Sequence, residues 1–194
     1  MAEDAEAQLI ARLQQGDEAA FALLVREHQG PVFRLLLRLL GNRAEAEDVA
    51  QEVFVAVFKA METFRGDSRL STWIYRIATN HAKNRIKYLT RRGHSQRSDY
   101  NERVHPNQIA TDTVSRIDRP DRLVEGYQAQ SCLEEALQAL DEDQRALVVL
   151  RDLEHLSYED VQRITGLPIG TVKSRLHRAR LSLFQHYRNL QGEP

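Results

Sequence analysis

The sequence predicts an all-α protein: two helical domains joined by a flexible linker, with a helix-turn-helix in the C-terminal domain. Three observations carry that prediction. Apolar residues recur at helical spacing almost throughout, and no run alternates as a half-buried strand would. The periodicity fails from Arg92 to about Val124 and then returns. Beyond Ser157, a capped helix, a glycine turn and a second helix follow one another directly.

The elements follow in order. Ala5, Leu9 and Leu13 give a short first helix ending near Gly16. Asp17 suits an N-cap, with Phe21, Leu24, Val25 and His28 at helical spacing behind it. Gly30-Pro31 should bend the chain or start a new turn, because proline lacks the N–H that a helix interior needs. Val32 to Leu40 continues helically and stops at Gly41-Asn42. The next helix spans about Ala44 to Met61 and buries Val49, Val53, Phe54, Val57 and Ala60. Phe64 to Ser68 reads as a loop, after which Ser71 can cap a helix reaching roughly Arg91. The polar segment 93–125 has no apolar stripe and reads as an extended or disordered linker. Helices return over Ser131–Leu140, Asp141 to about Leu153, Ser157–Thr165 and Ile169 to about Leu190. The domains are therefore 1–92 and 126–194.

Composition removes several classes. With 42% apolar and 28% charged residues in a chain of 194, a packed core is affordable and wholesale disorder is not expected. The single cysteine, Cys132, excludes an intramolecular disulfide framework and a cysteine-rich zinc site. The acidic, amphipathic start differs from a signal peptide, and no stretch approaches the ~20 apolar residues of a membrane span. A cytoplasmic protein is the expectation.

The formal net charge of −1 conceals two opposed blocks. Residues 131–160 hold nine acids against Arg145 and Arg151, whereas residues 168–190 hold Lys173, Arg175, Arg178, Arg180 and Arg188 and no acid. Such asymmetry points to a nucleic-acid face. In the last helix Val172, Leu176, Ala179 and Leu183 share one side, and Lys173, Ser174, His177 and Arg178 share another. Gly166 allows a left-handed turn before it and Pro168 starts it, as expected of a helix that reads the major groove. Gln162 stands where such motifs carry a small residue, so its amide must reach out to solvent.

The long helix after Ser71 has the same two-sided character. Ile74, Ile77, Ala78, Ala82, Ile86 and Leu89 form the apolar stripe; Arg76, Asn80, Lys83, Asn84 and Lys87 line the other side. Asn can bond a base edge while Lys and Arg hold phosphates, and Phe64 on the preceding loop could stack on an unpaired base. Trp73 suits the core better than contact with melted DNA. The carboxylates Glu45, Asp48 and Glu52 could in principle bind a metal, but no histidine joins them and acids near a helix start also suit its dipole. The seven histidines have no ligand spacing, and no phosphate-cradling glycine loop is present. No catalytic residue, metal or cofactor is expected.

Two segments together resemble the extracytoplasmic-function (ECF) sigma factors of bacterial RNA polymerase, in particular the envelope-stress type. They are AEAEDVAQEVFVAVFKAMETFRGDSRLSTWIYRIATNHAKNRI and LSYEDVQRITGLPIGTVKSRLHRAR. The resemblance implies an alternative sigma factor acting with core polymerase on promoter DNA, in a stress response. Asp48, Gln51 and Glu52 would meet the clamp coiled coil of the largest subunit. Phe64, Arg76, Asn80, Lys83 and Asn84 would serve the minus-ten element. Thr171, Lys173, Ser174, Arg175, His177 and Arg178 would serve the minus-thirty-five element. It also implies an anti-sigma partner, membrane-tethered by analogy, while the chain itself inserts in no membrane. A stand-alone helix-turn-helix regulator is the competing reading, and a metal-dependent nucleic-acid enzyme a third.

Overall fold

The computed structural model describes residues 2–96 and 120–192, with side chains from 5–92 and 129–192. Among them every regular element is helical. The first group comprises α1 (Ala2–Gln14), α2 (Glu18–Leu40), α3 (Arg43–Ala60) and α4 (Leu70–Gln96); a 3₁₀ turn, Met61–Thr63, follows α3. The second comprises α5 (Pro120–Ala139), α6 (Glu142–Val148), α7 (Tyr158–Thr165) and α8 (Ile169–Gln191), with a wide π turn over Val149–Leu153.

Local chemistry sets most boundaries. Asp17 Oδ1 accepts from the amides of Ala19 and Ala20, Asn42 from Glu45 and Asp141 from Gln144. Gly41 closes α2 at φ +68°, a left-handed conformation that costs a glycine little. Two boundaries differ from expectation. Pro31 lies inside an unbroken α2, because Leu24, Val32, Leu35 and Leu36 around it are fully buried. Burial of each such side chain is worth about 1.5–3 kcal/mol, together more than the ~3 kcal/mol proline penalty. Ser71 does not cap α4; the helix begins at Leu70, whose amide donates to Glu6 of α1 at 2.8 Å. The expected linker is shorter at both ends, since α4 runs to Gln96 and α5 starts at Pro120. Residues 97–119 of the expected linker fall outside the described residues.

In the first domain, α2, α3 and α4 pack through Leu35 and Leu36, through Val49, Val53 and Val57, and through Ile74 and Ala78. In the second, Leu137, Leu147, Leu150, Val161, Val172 and Leu176 form the equivalent centre. The two are not held apart: their buried residues join in one apolar cluster. The end of α2 is the seam. Arg145 of α6 donates to the Leu39 carbonyl at 2.7 Å and Gln138 of α5 to the Arg38 carbonyl at 3.0 Å, filling acceptors that a helix end leaves open. A Cβ on Gly41 would come within 2.5 Å of the Gln138 side chain, whose amide would have to shift from its bonds to Arg38 and Arg145. Beside it Glu154 takes hydrogen bonds from Arg38 and Tyr75, and Thr72 donates to Asp160 at 3.1 Å. Burial, then the Glu154 carboxylate, push the Tyr75 hydroxyl well above its ordinary range.

Candidate nucleic-acid interface

The helix-turn-helix is α7, the turn at Gly166 and α8. Ser157 Oγ accepts from the Asp160 amide at 3.0 Å, and Gly166 ends α7 at φ +73°. Val161 and Ile164 point inward, Leu167 packs at the corner, and Gln162 is exposed as its amide requires. Val172, Leu176 and Ala179 anchor α8 in the core. This fixes the opposite side: Lys173, Ser174, Arg175, His177 and Arg178 are all exposed, with Thr171 half-buried at the start. Lys173 lies over the Tyr158 ring at 5.3 Å, a cation–π contact that steadies a long side chain. The sequence-derived reading face is therefore one continuous, solvent-facing stripe.

On α4 the apolar side is likewise buried at Ile74, Ala78 and Ala82. Arg76, Asn80 and Asn84 are exposed on the other side. Lys83 is not open: its Nζ bonds Asp143 of α6 at 2.7 Å. Lys87 lies 4.0 Å from Glu142. The hydrogen bond from Lys83 holds the Asp143 carboxyl below its ordinary value, helped by the charges of Lys83, Arg175 and Lys87 against some burial.

Phe64 requires a correction. It is 5% exposed, packed against Trp73 at 5.0 Å between centroids, and so cannot stack on a base from this position. An aromatic in a short polar loop, next to Met61 and Trp73, is worth more inside the core than in water. Gln14 of α1 secures the place by donating to the Phe64 carbonyl at 2.9 Å. The open part of the loop is Arg65, Gly66, Asp67 and Arg69.

On α3, Asp48 and Gln51 are exposed beside Val55 and Phe58, two large apolar residues left more than half open. Glu52 is engaged, accepting from Arg85 at 2.7 Å with His81 at 3.5 Å. Arg85 also reaches Glu45 at 2.7 Å, so one guanidinium joins Glu45 and Glu52. Among the described residues no group of three or more His, Cys, Asp or Glu is placed to hold a metal ion. Cys132 is half-buried and has no partner cysteine. Sequence reasoning missed Glu142 and Asp143, which meet Lys87 and Lys83 on the outward side of α4. The acidic block was visible, but nothing local says which cations it meets.

Comparison with known proteins agrees with this geometry. The profile of sigma-70 region 2 matches residues 24–92, and that of sigma-70 region 4 matches residues 130–183. The ECF RNA polymerase sigma-E factor of Haemophilus influenzae is 40% identical over 176 residues, covering 89% of both chains. The RNA polymerase sigma-H factor of Pseudomonas aeruginosa is 36% identical over 185 residues, covering 93% of this chain and 92% of its own. Among solved structures, the sigma factor RpoE in complex with the anti-sigma factor NepR from Bartonella quintana aligns at a TM-score of 0.67 and 23% identity, over 89% of this chain and 96% of that one. Two regions in the right order, and relatives matched over nearly their full length, make this chain a member of the ECF sigma factors, the alternative sigma-70-type subunits of bacterial RNA polymerase.

Proposed function

We propose that this chain brings core RNA polymerase to promoters with two separated elements, and that its exposed faces divide the work. Asp48 and Gln51, with Val55 and Phe58 beside them, meet the clamp coiled coil of the largest subunit. Glu52 joins them only in part, since Arg85 already holds it. Arg76, Asn80, Lys83 and Asn84 act at the minus-ten element with the open edge of the 65–69 loop, and Phe64 forms the floor beneath that edge. Thr171, Lys173, Ser174, Arg175, His177 and Arg178 read the minus-thirty-five element. The chain catalyses nothing itself, works in the cytoplasm, and answers to an anti-sigma protein that covers one or more of these faces. A membrane-tethered anti-sigma accords with the envelope-stress resemblance. No helix among the described residues is long and apolar enough to cross a membrane, so the tether would belong to the partner.

The observation that carries the reading is the pairing, in one chain, of two helices built alike, each with an apolar side in the core and a basic, amide-bearing side outward. A single groove reader needs only one. The test is run-off transcription with purified core enzyme on templates bearing candidate promoters. A specific transcript is expected only when both proteins are present. Asp48→Arg and Gln51→Arg should abolish it and core binding alike, while circular dichroism stays unchanged, because both positions are exposed. Duplex binding without any polymerase association would instead support a stand-alone regulator.

A further inference from the structure

The short α1 is more polar on its inward side than a helix that only covers a core needs to be. Glu6, Ile10, Leu13 and Gln14 share that side, at the i, i+4, i+7 and i+8 spacing of one helical face. Leu13 is buried and Ile10 packs on the same core, but a carboxylate and an amide occupy the two ends of the face. Both reach the same loop. Gln14 Nε2 donates to the Phe64 carbonyl at 2.9 Å, and Glu6 Oε1 accepts from the Leu70 amide at 2.8 Å. Phe64 directly follows the 3₁₀ turn and Leu70 opens α4, so the two bonds hold the two ends of one connection. Both end residues are also buried.

Between these anchors the chain is open. Arg65, Gly66, Asp67 and Arg69 are exposed, and the backbone reverses at Gly66 with φ +75°. Among the described residues, neither Arg65 nor Asp67 makes a side-chain hydrogen bond or ion pair. Glu6 and Gln14 stand about 12 Å apart along the α1 axis, at ~1.5 Å per residue. The helix is thus a strut that fixes the separation of the loop's ends while leaving its edge free. A loop held only by its own residues would have to be ordered on contact with DNA, at an entropic cost to binding; a strut removes part of that cost beforehand.

We propose that Glu6 and Gln14 are positioning residues for minus-ten recognition: by fixing both ends of the 64–70 loop they hold its open edge in one pose ahead of Arg76 and Asn80 on α4. The proposal rests on the minus-ten assignment above. A cognate element uses the loop contact and bears the ordering cost when one end is cut loose. A substituted element that makes no loop contact bears none, so the loss falls on discrimination rather than on binding in general. Cutting one end should lower the preference for the cognate element by about fivefold, the worth of one ordinary hydrogen bond. Core binding and minus-thirty-five reading use other faces and should not change.

The experiment uses full-length protein assembled with core enzyme, on templates carrying each base in turn at every minus-ten and minus-thirty-five position. Run-off yields give the preference at each element, and amide hydrogen exchange at Leu70 reports whether its bond is intact. Glu6→Ala and the nearly isosteric Gln14→Glu, which replaces the donor by a carboxylate, should each reduce minus-ten preference about fivefold. Glu6→Gln keeps an acceptor oxygen and should retain the wild-type preference. Ile10→Val loosens the packing of α1 without touching either bond and should lower thermal stability only. Arg65→Ala and Asp67→Ala test the underlying assignment. If these loop variants alter minus-ten preference while Glu6→Ala and Gln14→Glu leave it unchanged, the positioning role is overturned and the assignment stands. If the loop variants leave it unchanged, whatever the others do, the loop does not meet the element and both fall. Equal losses at both elements, or a loss with Ile10→Val matching that of Glu6→Ala, would reduce α1 to a structural support and overturn the proposal.

Discussion

α4 and α8 are built to one plan and end in opposite conditions. Each sinks small and branched apolar residues into a core and turns basic and hydrogen-bonding residues outward. On α8 the outward residues are exposed, and among the described residues no carboxylate lies within ion-pair distance of Lys173, His177 or Arg178. On α4 Arg76 stays open but the later cations are answered one after another: Lys83 by Asp143, Arg85 by Glu45 and Glu52, Lys87 by Glu142. The same amphipathic pattern therefore gives one face left open and one whose lysines are already paired. Pattern specifies what a face can bind; packing decides whether it is available.

The largest effect that tests this contrast lies in the shared plan. Ile74→Ala and Leu176→Ala should each cost about 2–5 kcal/mol in denaturant unfolding, since both side chains are fully buried. Arg76→Ala and Lys173→Ala should stay within about 0.5 kcal/mol. A stripe substitution as costly as a core one would show that the outward side is structural.

Next in size are the DNA losses. Arg178→Ala should weaken upstream-element binding by about 1–3 kcal/mol, whether or not polymerase is present, because the α8 stripe is already open. Asn80→Ala should cost a similar amount at the minus-ten element, but in holoenzyme only, as permanganate footprinting can show. Equal losses from Asn80→Ala in free protein would erase the distinction between the helices. Lys83→Ala gives a smaller effect, because the Lys83 ammonium is already shared with Asp143 and is less available to a phosphate than an open side chain. In free protein its oligonucleotide affinity should fall less than that of Arg76→Ala, by fluorescence anisotropy.

The smallest effect is with acid. Asp143 is held below the ordinary carboxylate value of 3.8 first by Lys83. Burial alone would raise Asp160, but the hydroxyls of Ser157 and Thr72 and the charge of Arg163 outweigh it and hold it low as well. Groups lowered in this way stabilise the folded arrangement above 3.8 and stop doing so as pH falls through their own, lower values. Titration from pH 5 downward should therefore loosen the domain contact as a minor part of the acid transition. Asp160→Asn should flatten part of that slope.

What was legible in the sequence was local. Asp17, Gly41, Ser157 and Gly166 act within a few residues of themselves, so reading caps and turns from spacing succeeded there. The periodic stripes of α4 and α8 succeeded for the same reason. The failures all turn on packing against other elements. The cap of α4 comes from Glu6, 64 residues away, so Ser71 only seemed suited to that role. Phe64 in its polar loop read as exposed because its neighbours, Trp73 and the Gln14 amide, arrive from other helices. Pro31 read as a break because its local cost is visible and the surrounding burial is not. The candidate site was legible as a set of outward residues, but the acids covering part of it were not.

The order of Lys83 and Asp143 along the chain also sets an order in time. Lys83 and Asp143 are 60 residues apart, and a ribosome adds ~5–20 residues per second. For roughly 3–12 s each newly made chain carries a completed N-terminal domain whose α4 has no acidic tip to meet. Each nascent chain passes through a brief window in which Lys83 and Lys87 are bare, before Glu142 and Asp143 exist to pair with them.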